Sequence, residues 1–261
     1  MRLEKAFRPR ALVGYLMGFD PDRERSLDYL EAVARGGADI IEIGVAFSDP
    51  IADGPTIQAA GMRALKAGST ARGCIDLARE LKSRVKVPVA LMTYYNPIVR
   101  MGESKFVAAA ASAGVDALIV PDLPVDEAAS LRKGTKDHDL DLVFLATPPT
   151  PDDRLALIAA ECSGFLYLVS RYGTTGAANE MAKGLASLIG RVKRVCAEVS
   201  PGLPVAVGFG ISNATQVRDI VRAGADGAVV GSALVKMVEN GIDPKQIQDA
   251  VRALRKGLPD E

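Results

Sequence analysis

The sequence has a single histidine, His138, only three cysteines, and no surplus of charge of either sign. One histidine cannot build a His-cluster zinc site, and it makes Ser-His or Cys-His nucleophilic catalysis a poor fit. Carboxylates or tyrosines are left to do any acid-base work. Cys74, Cys162 and Cys196 are odd in number and follow no metal or redox spacing; each lies in or beside an apolar, helix-like stretch, which predicts reduced core residues. Lys+Arg 32 against Asp+Glu 32 gives a formal charge of zero, and no basic stripe stands out, so there is no long-range attraction for a nucleic acid. No apolar run reaches the about 18 residues of a membrane span, and the short run at 11–13 cannot serve as a signal-peptide core. A soluble, cytoplasmic protein is expected. No low-complexity or Pro/Ser-rich linker interrupts the chain, so residues 1–261 are expected to form one domain.

What the chain does have is rhythm. Short apolar runs at 11–16, 40–45, 87–93, 117–120, 140–146, 165–169, 204–207 and 227–230 alternate with amphipathic stretches such as 27–35 and 217–223. The runs are almost continuously apolar, which suits parallel strands buried on both faces. Three junctions repeat nearly literally: Gly36-Gly37-Ala38-Asp39, Ala113-Gly114-Val115-Asp116 and Ala223-Gly224-Ala225-Asp226. Each puts a helix-ending glycine just before a strand. Eight strand-helix units in 261 residues predict an α/β fold, a (β/α)8 TIM barrel, with an open doubly wound sheet as the alternative.

In a barrel the chemistry belongs in the loops after the strands' carboxyl ends. The second run, Ile40-Ile41-Glu42-Ile43-Gly44-Val45, carries one acid. Strand alternation puts Ile40, Glu42 and Gly44 on one face, and the face with acid and glycine is the better candidate for the interior. A carboxylate there loses solvation, its pKa rises, and it can both give and take protons near neutrality. The same Glu42 also fits a structural role, paired with a basic side chain. Asp53 closes the long acidic loop that follows and is either a second functional carboxylate or a helix cap before Gly54-Pro55. Asp49, before Pro50, reads equally as an ordinary turn residue.

The turns after the seventh and eighth runs, Gly208-Phe209-Gly210-Ile211-Ser212 and Gly231-Ser232-Ala233, carry glycines that let backbone amides approach an anion, and residues 233–239 can form the short extra helix of a phosphate site before Asp243 starts another helix. These glycines also fit a purely conformational role. The polar sixth loop, 170–179, suits a lid as well as a plain surface loop.

The run from Ile41 through Glu42, Gly44, Phe47-Ser48-Asp49-Pro50 and Asp53-Gly54-Pro55 to Gln58 resembles the signature of the tryptophan synthase α-subunit family. Further matches lie at Thr93-Tyr94-Tyr95-Asn96-Pro97, Val120-Pro121-Asp122-Leu123-Pro124, Thr175-Gly176-Ala177 and Gly208-Phe209-Gly210-Ile211-Ser212, and they span Tyr15 to Ser232 in family order. The resemblance implies a retro-aldol lyase that splits indole-3-glycerol phosphate into indole and glyceraldehyde 3-phosphate. It implies Glu42 as the acid/base and Asp53 as the group that holds the indole nitrogen. Tyr15, Met92, Tyr94, Tyr167 and Phe209 would surround the indole and Glu42, and Thr175, Gly176, Gly210, Gly231 and Ser232 the phosphate. Asp49, Pro50, Asn96 and Pro124 would face a β subunit in an α2β2 tetramer. Pyridoxal phosphate would belong to that partner, with no cofactor and no metal in this chain. Two departures stand out: Ala46 where many relatives have proline, and Met17-Gly18-Phe19-Asp20-Pro21 in place of the common Thr-Ala-Gly-Asp-Pro. A barrel kept only as an activating, phosphate-binding subunit and a lyase that works without a β subunit are the competing readings.

Overall fold

The computed structural model describes residues 3–169, 178–208 and 210–259. Strands β1 (Ala11–Met17), β2 (Ile40–Gly44), β3 (Val89–Met92), β4 (Ala117–Ile119), β5 (Asp141–Val143), β6 (Leu145–Ala146), β7 (Leu166–Val169), β8 (Val205–Gly208) and β9 (Gly227–Val230) pair in the order β5-β4-β3-β2-β1-β9-β8-β7-β6. Every pairing is parallel. The two end strands, β5 and β6, are consecutive in the chain and separated only by Phe144. Together they form one stave, paired to β4 through its first half and to β7 through its second. The sheet therefore curls round as an eight-staved barrel, and the open-sheet alternative falls because its two edges would lie far apart.

Helices α1 (Arg23–Arg35), α2 (Pro55–Lys66), α3 (Ala71–Arg84), α4 (Tyr95–Met101), α5 (Glu103–Ser112), α6 (Ala129–Asp137), α7 (Asp152–Glu161), α8 (Ala178–Val199), α9 (Ala214–Arg222), α10 (Ser232–Glu239) and α11 (Pro244–Arg255) lie outside the staves. The expected extra helix is α10, and α11 starts as expected at Asp243, which with Gln246 forms a capping box ahead of Pro244. Among the described residues no helix is long and apolar enough to cross a membrane.

At the repeated junctions Gly37, Gly114 and Gly224 have φ of 99°, 78° and 107°, the left-handed conformation that glycine takes without a Cβ clash. The following aspartates explain the rest of the repeat. Asp39 Oδ2 accepts the Leu12 N–H (2.8 Å), Asp116 Oδ2 that of Val89 (2.8 Å), and Asp226 Oδ2 that of Val205 (2.9 Å). Each acid thus stitches the start of one strand to its neighbour, and Arg255, Lys82 and Lys193 in turn pair with these carboxylates. All of this is at the barrel's N-terminal end, where stabilising contacts do not compete with chemistry.

The strand alternation read from the sequence holds. Val13, Ile40, Ala90, Ala117, Ile119, Val143, Ala206 and Val229 fill the barrel, whereas Ile41, Ile43 and Val45 pack outward under the helices. The N-terminal mouth is plugged by a 3-10 turn, Leu3–Phe7: the Leu3 N–H bonds to Asp141 Oδ2 (3.1 Å), and the Phe7 ring sits 5.2 Å from that of Phe165. The three cysteines are free and buried, as expected of core residues.

The altered first loop also finds its place. Phe19 has φ of 70°, which costs a non-glycine residue about 1–3 kcal/mol, and its ring is buried against Gly73 of α3. A β-carbon on the preceding Gly18 would lie 3.1 Å from Ile43 Cγ2 and 3.2 Å from Cys74 Sγ. Both residues therefore pack between β2 and α3, on the outside of the barrel wall, and burial of the ring offsets the backbone strain.

Candidate active site

Strand register decides which side chains meet. Tyr15 pairs with Glu42, and Glu42 with Ala90, so tyrosine, acid and a small residue stand level on β1, β2 and β3 near their carboxyl ends. Glu42 is completely buried. Among the described residues neither of its carboxylate oxygens has a hydrogen-bond partner. Burial, and then the negative charge of Asp53, push its pKa up to about 8. A structural glutamate would be paired with a cation; among the described residues the charge felt by this one is that of another acid, Asp53. That arrangement favours the functional reading of Glu42 over the structural one.

Asp53 is not the helix cap that its position before Gly54-Pro55 suggests. The N-cap of α2 is Gly54, which makes no side-chain cap bond, and the Asp53 carbonyl accepts from Gln58 Nε2 (2.9 Å). Its carboxylate is drawn up in pKa by burial and partly restored by a hydrogen bond with Tyr94. The Tyr94 hydroxyl also accepts the Ala52 N–H (2.9 Å), and its ring lies 5.4 Å from that of Phe47. One tyrosine on the loop after β3 therefore holds both the Ala52 backbone N–H and the Asp53 carboxylate.

Tyr15 and Tyr167 complete the chamber. Both have hydroxyls held well above their ordinary pKa, first by burial and then by the charges of Glu42 and Asp53, so they face those acids as neutral O–H groups. Their orientation depends on two glycines. A β-carbon on Gly44 would collide with the Tyr15 hydroxyl, and one on Gly208 would come within 2.5 Å of the Tyr167 hydroxyl. Met92 stands half-buried on the same inner layer, level with Gly44.

Across β1 lies the glycine-rich end. Gly210 has φ of 74°, and Gly231 is the N-cap of α10 without a side-chain cap bond, leaving the first-turn amides of α10 to another acceptor. Ser232 opens that helix and is exposed. A β-carbon on Gly231 would meet the Tyr15 ring at 3.2 Å, so Tyr15 borders this end as well as Glu42. Thr175, Gly176 and Phe209, named from the sequence, lie outside the described residues, as does most of the sixth loop.

Asp49, Asn96 and Pro124 are exposed and Pro50 half-exposed, on the segments that follow β2, β3 and β4, with Asn96 in the first turn of α4. These strands are adjacent, so the four residues share one sector of the rim. Sequence reasoning missed two apolar neighbours there, Ile51 at 82% and Val99 at 54% exposure. It also missed Asp122, whose Oδ1 accepts the Tyr95 N–H at 2.8 Å and so braces the loop carrying Tyr94. The signal was its place in the Pro121-Asp122-Leu123-Pro124 run, where an acid between prolines has few local partners.

A half-open groove of about 1400 Å³ lies at the other end of the barrel, beside Phe7, Asp141 and Asp226. Its charges pair with each other, as in Arg132–Glu161 and Lys193–Asp226. The chamber around Glu42 is the candidate because its acids are unmatched. Among the described residues no group of three or more His, Cys, Asp or Glu could hold a metal ion.

The family model for the tryptophan synthase alpha chain matches residues 1–258. The alpha chain of Methanosarcina mazei is 48% identical over 249 residues, covering 95% of this chain and 89% of that one. That of Methanocaldococcus jannaschii is 46% identical, covering 92% and 84%. Among solved structures, a chain of the tryptophan synthase a2b2 complex from Pyrococcus furiosus superposes with a TM-score of 0.84 at 42% identity, covering 94% of this chain and 96% of that one. A chain from a Mycobacterium tuberculosis tryptophan synthase gives 0.87 at 34%, covering 99% of each. With the match running through nearly every residue of the barrel, including the strand and loop that carry Glu42 and Asp53, the chain belongs to the tryptophan synthase alpha chain family.

Proposed function

We propose that this chain is a cytoplasmic lyase that cleaves indole-3-glycerol phosphate to indole and glyceraldehyde 3-phosphate, and that it delivers indole to a β subunit within an α2β2 tetramer. The observation that carries the reading is Glu42: fully buried, without a hydrogen-bond partner among the described residues, and raised to about 8. At neutral pH such a group is mostly a carboxylic acid, yet it ionises within reach of physiological conditions. It gives its proton to indole C3, and the ring electrons that form the new C–H bond leave positive charge at the ring nitrogen. Asp53, steadied by Tyr94, accepts a hydrogen bond from that N–H and stabilises the cation. The Glu42 carboxylate then takes the proton from the hydroxyl on the side-chain carbon next to the ring. The O–H electrons become the aldehyde C=O, the carbon–carbon bond breaks, and its electrons restore the aromatic indole. One proton is given and one recovered, so the residue is regenerated.

Tyr15, Met92, Tyr94, Tyr167 and Phe209 are assigned to the walls around indole, and Thr175, Gly176, Gly210, Gly231 and Ser232 to the phosphate, whose charge suits the amides at the start of α10. None of these steps requires a cofactor; pyridoxal phosphate belongs to the partner in this reading. The test is indole release from indole-3-glycerol phosphate by the isolated chain and by the chain mixed with its cognate β subunit. Release that rises on mixing is expected, and no release under either condition overturns the assignment.

Asp49, Pro50, Asn96 and Pro124 are assigned to the partner face. Asp49 and Asp53 share one loop, so movement of its backbone at the rim reaches the chamber. Asp49→Ala is expected to leave basal release within about twofold and to cut the stimulation by the β subunit about tenfold. Titration of the β subunit against parent and variant measures both numbers, and undiminished stimulation would remove Asp49 from the coupling.

A further inference from the structure

Among the described residues, two buried acids take no part in the proposed chemistry: Asp141, which anchors the N-terminal plug, and Asp20. Asp20, in the loop after β1, is 3% exposed. Its carboxylate is gripped by a two-pronged fork from α2: Arg63 Nε to Oδ1 at 2.7 Å and Arg63 Nη2 to Oδ2 at 2.8 Å. The third arm of the same guanidinium, Nη1, reaches Glu239 Oε1 at 3.5 Å on the last residue of α10. Three elements are joined through one side chain. Helix α2 starts two residues after Asp53, α10 starts at the glycine-rich end, and the β1 loop continues the strand that carries Tyr15. Helices α2 and α10 also pack directly on each other and on β1.

We infer that Arg63 is a positioning residue that makes the placement of Asp53 depend on the anion held at the start of α10. The inference rests on the proposed lyase reading. A planar fork fixes direction as well as distance, so α2 cannot slide or rotate against the β1 loop while both prongs are made. The 46–54 loop is anchored at one end by β2 and at the other by α2. The fork alone leaves α2 and the β1 loop free to move together; Asp53 is held only when α10 is fixed as well. An anion at the α10 N-terminus fixes α10, and α10 fixes α2 through packing and through Glu239. Binding energy from a remote phosphate is thereby used to order the group that acts only as positive charge develops on the ring.

The coupling can be read with a substrate cut in two. Cleavage of the phosphate-free indole glycerol is measured with and without added phosphite dianion, which occupies the phosphate site as a separate piece. In the parent, phosphite is expected to stimulate cleavage; in Arg63→Met the stimulation is expected to fall about tenfold, while the rate without phosphite stays within about twofold. With intact substrate the same variant should lose kcat with KM nearly unchanged. Because Arg63→Met leaves the Asp20 carboxylate buried and unpaired, the double variant Asp20→Asn/Arg63→Gln is measured beside it: two neutral amides keep a hydrogen bond without the fork. It should fold and show the same loss of stimulation, and Arg63→Lys, a point charge without the fork, should recover only part of it. Equal loss of the stimulated and unstimulated rates, or full stimulation in the double variant, overturns the inference. A parent that releases no indole from intact substrate would instead overturn the lyase reading itself.

Discussion

Replacing Glu42 by Gln is expected to lower indole release about a thousandfold, because the amide keeps the shape of the side chain but can neither give nor regain a proton. The loss should appear in single-turnover cleavage as well as in kcat, and cleavage within tenfold of the parent would falsify the assignment. The raised pKa adds a second signature. For the free chain, kcat/KM should fall as pH rises through about 8, where Glu42 loses the proton that C3 requires. The same group links to stability. Its folded pKa of about 8 lies above the ordinary value of 4.5, so the folded chain binds the extra proton between those limits, and stability is full below about 4.5 and declines as pH rises toward 8. At pH 8 this linkage costs the folded parent on the order of 4 kcal/mol, a cost the neutral amide does not have. The Gln variant should therefore be the more stable protein at pH 8 and nearly level with the parent at pH 4, below the ordinary value, where Glu42 is mostly neutral folded or unfolded. Denaturant melts at the two pH values measure this, and a variant no more stable at pH 8 would show that the carboxylate is solvated in the native state.

The features that were legible in the sequence are those set by short-range periodicity. Alternation along residues 40–45 is enough to place Glu42 with Ile40 and Gly44, because a strand has only two faces and the other one was wholly apolar. The repeated Gly-x-Asp junctions likewise marked strand starts. Their aspartates were not interpretable from spacing, since each bonds to the backbone of a neighbouring strand some 21 to 27 residues away. The same limit hid the Tyr94 hydrogen bonds to the Ala52 N–H and the Asp53 carboxylate and the fork from Arg63 to Asp20, 43 residues apart. The break at Phe144 was invisible because residues 140–146 are apolar throughout except Asp141; the interruption comes from how one stave serves two neighbours, not from a breaker residue. At the N-terminus, four of the first ten residues are basic, while the residues that form the plug are Leu3 and Phe7.

Asp53→Asn is expected to reduce cleavage about a hundredfold while substrate still binds, because an amide accepts the ring N–H but brings no negative charge to the cation that forms there. The effect belongs in the chemical step, so kcat and single-turnover rate should fall together with little change in the affinity for an unreactive indole analogue. The electrostatics add an outcome that a simple loss of contact cannot imitate. Asp53 is the second cause, after burial, of the raised pKa of Glu42. With the negative charge gone, ionisation of Glu42 becomes easier, and the descending limb of the pH profile should move below 8. Tyr15 and Tyr167, whose hydroxyls are also raised in part by Asp53, should remain neutral because burial is their larger cause. No new limb is therefore expected at alkaline pH from either tyrosine. A variant that weakens only KM, with the limb still at 8, would place Asp53 outside the field felt by Glu42 and reduce it to a binding contact. A loss in kcat accompanied by a limb at lower pH supports two acids sharing one dry chamber, each setting the other's charge.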